Sequence, residues 1–190
     1  MEQEYFEDKI FDKINFNEAP LKRGEYDNCK FVNCDFSNAD LSDFIFTDCT
    51  FNGCNLSMAK LLKTAFREIR FKDCKMLGLN FSHCNEFGLS FSFDSCILNN
   101  SLFYKTKIKR TKFFNTRLQE VDFSECDLTE SIFDNSDLSG AVFDHTTIEK
   151  ADLRTSINYS IDPENNNIKK AKFSMSGIRG LLGKYDIIIE

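Results

Sequence analysis

A large apolar residue recurs at every fifth position along most of the chain. Over residues 29–58 these residues are Phe31, Phe36, Leu41, Phe46, Phe51 and Leu56. The residue two positions earlier is small in most units: Cys29, Cys34, Ala39, Cys49 and Cys54, with Phe44 as the exception. A period of five fits neither an α-helix nor a flat β-strand. A fixed period sustained over this length therefore predicts a repeat architecture.

We call the large position of each unit its centre and the position two residues earlier its minus-two position. The centres follow one register from Phe6 to Phe81 and a second register, two residues out of step, from Leu98 to Leu153. All eight cysteines occupy minus-two positions, and 17 of the 21 phenylalanines are centres. If the backbone bends once per unit, four units make a square coil, and coils stack at about 4.8 Å. The pattern predicts an all-β, quadrilateral parallel β-helix with both positions facing inward.

The regular pattern is interrupted at three places. Between His83 and Phe93 the register breaks, and we expect a bulge or short loop whose candidate residues are Asn85, Glu86, Phe87 and Phe91. Pro163 and three consecutive asparagines predict a turn-rich loop over residues 156–170. Near the start, the minus-two residues become small only from Ala19, which predicts that the first three units form a distorted cap.

The repeat is thus expected to span residues 1–173, followed by a separate C-terminal segment over residues 174–190. Ser174 and Ser176 are alternative N-caps for a short capping helix in this segment. Residues 187–189 would form a last strand or an apolar edge. We expect the apolar residues of the segment to cover the last coil and to form a symmetric dimer interface. They are Ile178, Leu181, Leu182, Tyr185, Ile187, Ile188 and Ile189.

Several five-residue units match a known motif. The segments NADLS (38–42), CDFSN (34–38), CDLTE (126–130), SDLSG (136–140) and ADLRT (151–155) resemble the motif A(D/N)LXX of the pentapeptide-repeat family. The resemblance covers about residues 19–155 and implies a right-handed quadrilateral β-helix. One register break and a C-terminal helix after the last coil are similar to the Qnr-type quinolone-resistance members.

The resemblance to Qnr-type members implies a function. Those proteins dimerise through their C-terminal ends and bind DNA gyrase and topoisomerase IV by mimicking DNA. The expectation is therefore a non-enzymatic interaction rod that binds a type II topoisomerase and protects it against quinolones. The alternative is a structural or scaffold repeat protein with another protein partner.

Residues 120–149 form a concentrated acidic block without Lys or Arg. It contains Glu120 and the residues predicted to form a partner-binding face, Asp122, Glu125, Asp127, Glu130, Asp134, Asp137, Asp144 and Glu149. Such a face could occupy a basic DNA-binding groove. Alternatively, an Asp just before a centre hydrogen-bonds the turning backbone, and stacking pairs Glu130 with Lys150 and Asp134 with Arg154.

Two groups of basic residues oppose the picture of a uniformly acidic rod. The first basic belt consists of Lys60, Lys63, Arg67, Arg70, Lys72 and Lys75. The second basic belt consists of Lys105, Lys107, Lys109, Arg110, Lys112 and Arg117. Each belt spreads over several sides of the predicted helix. The belts either contact an acidic partner or are solvated and balance charge.

The remaining features argue against several other classes. The sequence contains no cofactor motif or phosphate-binding loop, and His83 and His145 are expected at the surface. A convex rod has no cleft for paired acid and base groups. We therefore expect no enzyme and no cofactor. We interpret the cysteines as small buried hydrophobes and not as metal ligands. The acidic start and the absence of long apolar runs suggest a cytoplasmic protein without membrane contact. The net charge of −6 argues against direct nucleic-acid binding.

Overall fold

A computed structural model describes residues 4–188 of the chain. The described part contains eleven short β-strands in two parallel sheets, with the orders β1-β3-β5-β7 and β11-β10-β9-β8-β6-β4-β2. The strands are β1 (Glu4–Glu7), β2 (Ile10–Asp12), β3 (Gly24–Asp27), β4 (Lys30–Val32), β5 (Ile45–Thr47), β6 (Thr50–Asn52), β7 (Ala65–Arg67), β8 (Ile69–Lys72), β9 (Phe91–Asp94), β10 (Lys112–Phe114) and β11 (Ile132–Asp134). The predicted all-β quadrilateral parallel β-helix is confirmed.

Strand register shows how the coils stack. Phe51 pairs with Phe71 and Phe93 pairs with Phe113, a spacing of 20 residues. Between them, Phe71 pairs with Phe93, a spacing of 22 residues. Isolated bridges such as Asp122 to Val142 hold the sides that lack extended strands. One coil therefore contains two extra residues, which explains the shift in sequence register.

The interior is a column of stacked aromatic rings. Phe31 and Phe51 stack with ring centroids 4.6 Å apart, and Phe113 and Phe133 stack at 4.8 Å. Each of these four side chains is fully buried. Burial of one such side chain contributes roughly 1.5–3 kcal/mol. The phenylalanine column therefore supplies much of the driving force for folding.

The cysteines line the corners of the same interior, and all eight are buried. Several of them reach a backbone carbonyl of the coil below, as Cys74 Sγ does at 3.3 Å from Phe51 O. Burial raises the pKa of both the Cys49 and Cys126 thiols to about 12. These thiols are therefore protonated at neutral pH, as small apolar residues of the core should be.

The N-terminal units differ from the prediction. β1 and β2 stack on β3 and β4 in the regular 20-residue register, so the first two units are not distorted as expected. Whereas Ala39 N bonds Phe36 O in the next coil, Ala19 N bonds Asn15 O, so the turn of the third unit in the first coil is irregular. The minus-two residues of this coil are partly or fully exposed, so they need not be small. Gly24 takes the corresponding place in the next coil, where a Cβ would lie 2.5 Å from Glu4 O and 3.1 Å from the Phe6 ring. The missing side chain lets the first coil pack closely.

Where a short capping helix was expected, the C-terminal segment forms two 3-10 helices, Ile178–Leu181 and Gly183–Tyr185. Another 3-10 helix, Phe81–His83, lies at the end of the first register. Gly177, Gly180 and Gly183 lower the α-helix propensity of the tail. Of the two candidate serine caps, Ser174 accepts a hydrogen bond from Gly177 N at 3.0 Å.

The 3-10 helices are fixed to the loop that precedes them. Ile161 N donates to Gly180 O at 2.8 Å, and a Cβ on Gly180 would lie 2.3 Å from Tyr159 O. Lys184 Nζ lies 2.7 Å from an Asp162 oxygen and 2.6 Å from a Glu164 oxygen. Close glycine packing and these ion pairs hold the segment over the last coil.

Candidate functional site

The acidic block does not lie on one side of the helix. Its carboxylates flank the centres of six successive units, from Phe123 to Ile148. Four successive units occupy all four sides of a coil. The eight predicted face residues therefore form a band around the rod, and the structure does not bring them together as a single face.

The second basic belt partly neutralises this acidic band. Lys105 pairs with Glu125 at 3.4 Å. Lys109 pairs with Asp127 at 3.1 Å, and Arg110 pairs with Glu130 at 2.9 Å. The partners of these pairs lie 18 or 20 residues apart, so each pair joins adjacent coils. Because most of these groups are exposed, each pair is expected to contribute little to stability.

One of the two predicted ion pairs within the band is present. Lys150 Nζ lies 3.5 Å from a Glu130 oxygen, as the stacking predicted. Arg154, however, pairs with Asp152 at 2.7 Å, and Asp134 accepts a hydrogen bond from Thr155 at 2.6 Å. The prediction for Asp134 was wrong because Asp152 lies next to the same centre as Arg154 and is reached within one coil.

Asp residues just before a centre bond the turning backbone. Asp122 Oδ1 accepts from Ser124 N at 2.8 Å, and Asp127 and Asp137 accept in the same way from Thr129 N and Ser139 N. This arrangement fixes the bend that follows each centre. Three of the eight predicted face residues therefore have a structural task in their own coil.

Asp137 links three coils. It accepts hydrogen bonds from Gln119 at 2.7 Å and from Asn158 at 2.9 Å, besides those from Ser139. Partial burial raises the pKa of Asp137, but the hydrogen bonds from Ser139, Asn158 and Gln119 outweigh it and lower the pKa to about 2. The fold therefore stabilises the ionised form of the Asp137 carboxylate.

Acid should weaken this link. The pKa of Asp137 is lower in the folded chain than its ordinary value of 3.8, so the unfolded chain takes up the proton first. We expect the stability that comes from Asp137 to be complete above about pH 4 and to disappear as the pH falls towards 2. In Asp137→Asn, the urea midpoint should decrease less between about pH 4 and pH 2 than in the wild type. Asp73→Asn, at an exposed corner outside the network, should lose stability with acid as the wild type does. Equal acid sensitivity of Asp137→Asn and the wild type would contradict the assignment.

The first basic belt differs from the second because it lacks carboxylate partners. Lys60, Lys63, Arg70, Lys72 and Lys75 are exposed. None of them takes part in an ion pair within residues 4–188. The sequence did not distinguish the two belts. The stacking of the coils gives carboxylate partners to Lys105, Lys109 and Arg110 of the second belt and, among the described residues, to no member of the first.

The register break forms a loop on the side that carries Phe66. Asn85 N still bonds Thr64 O at 2.9 Å, and Ser90 N bonds Phe66 O at 3.0 Å, so the two extra residues lie between Asn85 and Ser90. The Phe87 side chain is 78% exposed at the loop surface. Asn85, Glu86 and Phe87 therefore lie where the loop was predicted.

Contacts with the neighbouring coil position the loop. The Arg67 guanidinium lies 5.6 Å from the centroid of the Phe87 ring, a cation–π distance. Glu68 accepts a hydrogen bond from Ser90 Oγ at 3.1 Å, and its backbone N donates to the same oxygen at 2.8 Å. An exposed aromatic ring held in this way is a suitable anchor for a protein partner.

Phe91 does not belong to the loop. It begins strand β9, is 6% exposed, and lies at a minus-two position opposite Ile69. Its ring centroid is 5.3 Å from that of Phe81 and 5.1 Å from that of Phe93. The prediction was wrong here because minus-two residues are small in most other units, whereas in the coil with the break both Phe91 and Leu89 contribute large side chains to the core.

The C-terminal segment carries exposed apolar side chains. Ile188 is 89% exposed, Ile187 is 55% exposed and Met175 is 86% exposed. Ile178 and Tyr185 are also exposed, whereas Leu181 and Leu182 are half-buried and Leu181 packs against the core. No last strand forms at residues 187 and 188. The predicted interface residue Ile189 lies outside the described residues.

Metal-binding clusters and membrane-spanning helices are absent from the described part of the chain. No group of three His, Cys, Asp or Glu side chains with metal-binding geometry occurs between residues 4 and 188. No helix in this range is long and apolar enough to cross a membrane. His83 and His145 are exposed, as expected.

Comparisons with known proteins agree with the fold. The family descriptions "Pentapeptide repeats (8 copies)" and "Pentapeptide repeat region" match residues 29–63 and 88–153, together just over half of the chain. No curated protein sequence matches significantly.

Solved structures provide longer matches. A trypsin-treated variant of QnrB1, described as a plasmid-mediated fluoroquinolone resistance protein, aligns with a TM-score of 0.63 and 18% identity over 98% of this chain and 100% of that chain. A second trypsin-treated variant of the same protein also aligns with a TM-score of 0.63 and 18% identity, over 96% of this chain and 99% of that chain. The period-five β-helix and these matches show that the chain belongs to the pentapeptide-repeat family and resembles its Qnr-type members.

Proposed function

We propose that this chain is a non-enzymatic interaction rod that binds a type II topoisomerase and protects it against quinolones. The observation that carries the proposal is the loop at the register break, which presents Phe87 on the side of a rigid rod. An exposed aromatic ring fixed by Arg67 loses little entropy on binding, so it can serve as an anchor. The full-length similarity to a fluoroquinolone resistance protein supports the same direction.

The acidic band has a defined place in this proposal. Its carboxylates surround more than one full coil, so any side of the rod that meets a basic groove presents some of them. The carboxylates that pair with the second basic belt are already engaged, so a partner would meet the remaining ones. Glu120 and Asp122 take part in no ion pair among the described residues, so their charges are available to a cationic partner, although Asp122 also accepts a hydrogen bond from Ser124 N.

A supercoiling assay tests the proposal directly. Purified protein is titrated into DNA gyrase with relaxed plasmid, in the presence and absence of ciprofloxacin. We expect recovery of supercoiling in the presence of the drug. Glu120→Gln with Asp122→Asn should weaken the recovery, whereas Glu18→Gln with Asp43→Asn, at the far end of the rod, should not. If micromolar protein neither changes supercoiling nor restores it with drug, the proposal is wrong.

Dimerisation through the C-terminal segment is a second part of the proposal. The exposed side chains of Met175, Ile187 and Ile188 are close in sequence to the 3-10 helices and lie beyond the last coil. A twofold contact between two such ends would bury them and place two acidic bands on either side of the dimer centre. The two protomers would then form one long symmetric rod, and each would contribute half of the topoisomerase-binding surface.

Point substitution tests dimerisation without removing the cap. We expect Ile188→Glu to halve the mass measured by size-exclusion chromatography with light scattering, because it places a charge in the apolar contact. Leu62→Glu, at a side chain that is 54% exposed on the body of the rod, is the matched control and should leave the mass unchanged. The same mass for Ile188→Glu and the wild type would contradict dimerisation through this end.

A structural or scaffold role with a different protein partner is the second candidate. The unpaired first basic belt favours it, because a rod that only mimics DNA gains nothing from exposed cations. A direct interaction with another purified protein, together with no effect on gyrase, would support this candidate.

A further inference from the structure

The side of the helix formed by β8, β9 and β10 contains an open groove of about 460 Å³. Arg70, Ser92 and Lys112 occupy equivalent positions in the three strands, because Arg70 pairs with Ser92 and Ser92 pairs with Lys112. A short serine thus lies between two long cationic side chains. Adjacent strands are about 4.8 Å apart, so the two cations flank a depression whose width is about two strand spacings.

The cations that flank this depression are free to bind a ligand. Arg70 and Lys112 are exposed and have no carboxylate within ion-pair distance among residues 4–188. Two other lining cations, Lys109 and Arg110, are engaged by Asp127 and Glu130. The Ser92 hydroxyl, between Arg70 and Lys112, can donate a hydrogen bond to an anion. One carboxylate above Ser92 would therefore have two cations and a hydroxyl within reach.

One exposed aromatic side chain lies on the same side of the helix as the groove, and another lies on the adjoining loop. Phe114 is 45% exposed and points outward from β10, two residues after Lys112. Phe87 is 78% exposed in the loop that leads through Ser90 into the groove. Exposed aromatic rings beside unpaired cations suit a ligand that alternates acidic and apolar groups.

We infer that this groove, formed by Arg70, Ser92 and Lys112 and bordered by Phe87 and Phe114, is a docking surface for an acidic, aromatic-containing segment of a partner protein. The inference does not depend on topoisomerase binding. The charge pattern favours a short peptide over a nucleic acid. Asp94 lies two residues after Ser92 and pairs with Lys72 on one neighbouring strand and with Phe114 on the other. Glu68 lines the groove. These carboxylates would repel a continuous row of phosphates but leave room for single acidic side chains.

Fluorescence anisotropy with the full chain tests this inference. The probe is the fluorescein-labelled peptide Gly-Asp-Glu-Phe-Asp-Glu-Phe-Gly, and the comparison probes are its Asn and Gln counterpart and a labelled oligothymidylate. We expect saturable binding of the acidic peptide that weakens as salt is added, because the cations are exposed. Arg70→Glu combined with Lys112→Glu should weaken binding by about tenfold or more. Phe87→Ser should weaken it by a smaller factor.

Lys30→Glu is the matched control. Lys30 occupies the same outward position on the same side of the helix, two coils from Arg70, since Lys30 pairs with Thr50 and Thr50 with Arg70. It should change the affinity by less than about twofold. Circular dichroism melting curves should show that all variants remain folded. The inference is overturned if the acidic peptide does not bind, if the Asn and Gln peptide or the oligonucleotide binds as tightly, or if Lys30→Glu has the effect of the double substitution.

Discussion

Replacing Phe91 with alanine is expected to lower the free energy of unfolding by about 3–5 kcal/mol. The side chain is 6% exposed, and its ring contacts the rings of Phe81, Phe93 and Phe103. It is part of a close-packed aromatic cluster, so neighbouring residues cannot easily close the cavity that its removal leaves. Urea denaturation followed by far-UV circular dichroism measures the change.

Thr111 provides the matched comparison because it occupies the same position in the next coil. Its hydroxyl donates to Ile108 O at 2.8 Å, so Thr111→Ala should cost only about 1 kcal/mol. The comparison separates a packing role from a general sensitivity of the minus-two positions. If Phe91→Ala were no more destabilising than Thr111→Ala, Phe91 would not be a core residue.

If the chain protects against quinolones as proposed, excising the loop should abolish the protection and leave the fold intact. Deletion of Asn85 and Gly88 joins Cys84, Glu86, Phe87, Leu89 and Ser90 into one regular five-residue unit with Phe87 at its centre. Phe87 would then stack on Phe66, as Phe66 now stacks on Phe46 at 5.6 Å. Phe91→Thr is added to relieve overpacking, because two large side chains would otherwise fill the same level.

The excised chain is compared with the wild type in the ciprofloxacin supercoiling assay. We expect recovery of supercoiling to fall to the level without protein, because the exposed aromatic anchor has moved into the core. Phe87→Ser, which keeps the loop, should cause a partial loss. Full protection by a folded, loop-free chain would show that the loop does not contact the topoisomerase.

Much of the fold could be predicted because its determinants are local and repeated. A centre such as Phe51 and a minus-two residue such as Cys49 have the same roles in nearly every unit, so their pattern identifies the inside of the helix. The two-residue step between Phe71 and Phe93 was visible for the same reason. Phe91 was misplaced because minus-two residues are small in most other units, and whether a large one fits depends on the packing of the neighbouring coils, which no five-residue window contains.

The candidate surfaces were less predictable. Arg154 lies near two carboxylates, Asp134 in the preceding coil and Asp152 in its own coil. Side-chain geometry determines that it pairs with Asp152. Similarly, the two basic belts have comparable composition, but only the second stacks next to the acidic band. Exposed charges respond to whichever neighbours the coils bring within a few ångströms, and the period does not encode that choice.

The sequence by itself determined the period, the square coil, the burial of the cysteines and of most phenylalanines, and the position of the interruption, because each unit repeats the same inward-facing positions and contacts only its neighbours. Only the tertiary structure decided that the tail forms 3-10 turns against Tyr159. It alone showed that Phe91 lies inside while Phe87 lies outside, and that Arg70 and Lys112 flank Ser92 without partners. These features arise from contacts between residues about 20 positions apart or from end effects, where each coil has a different neighbour.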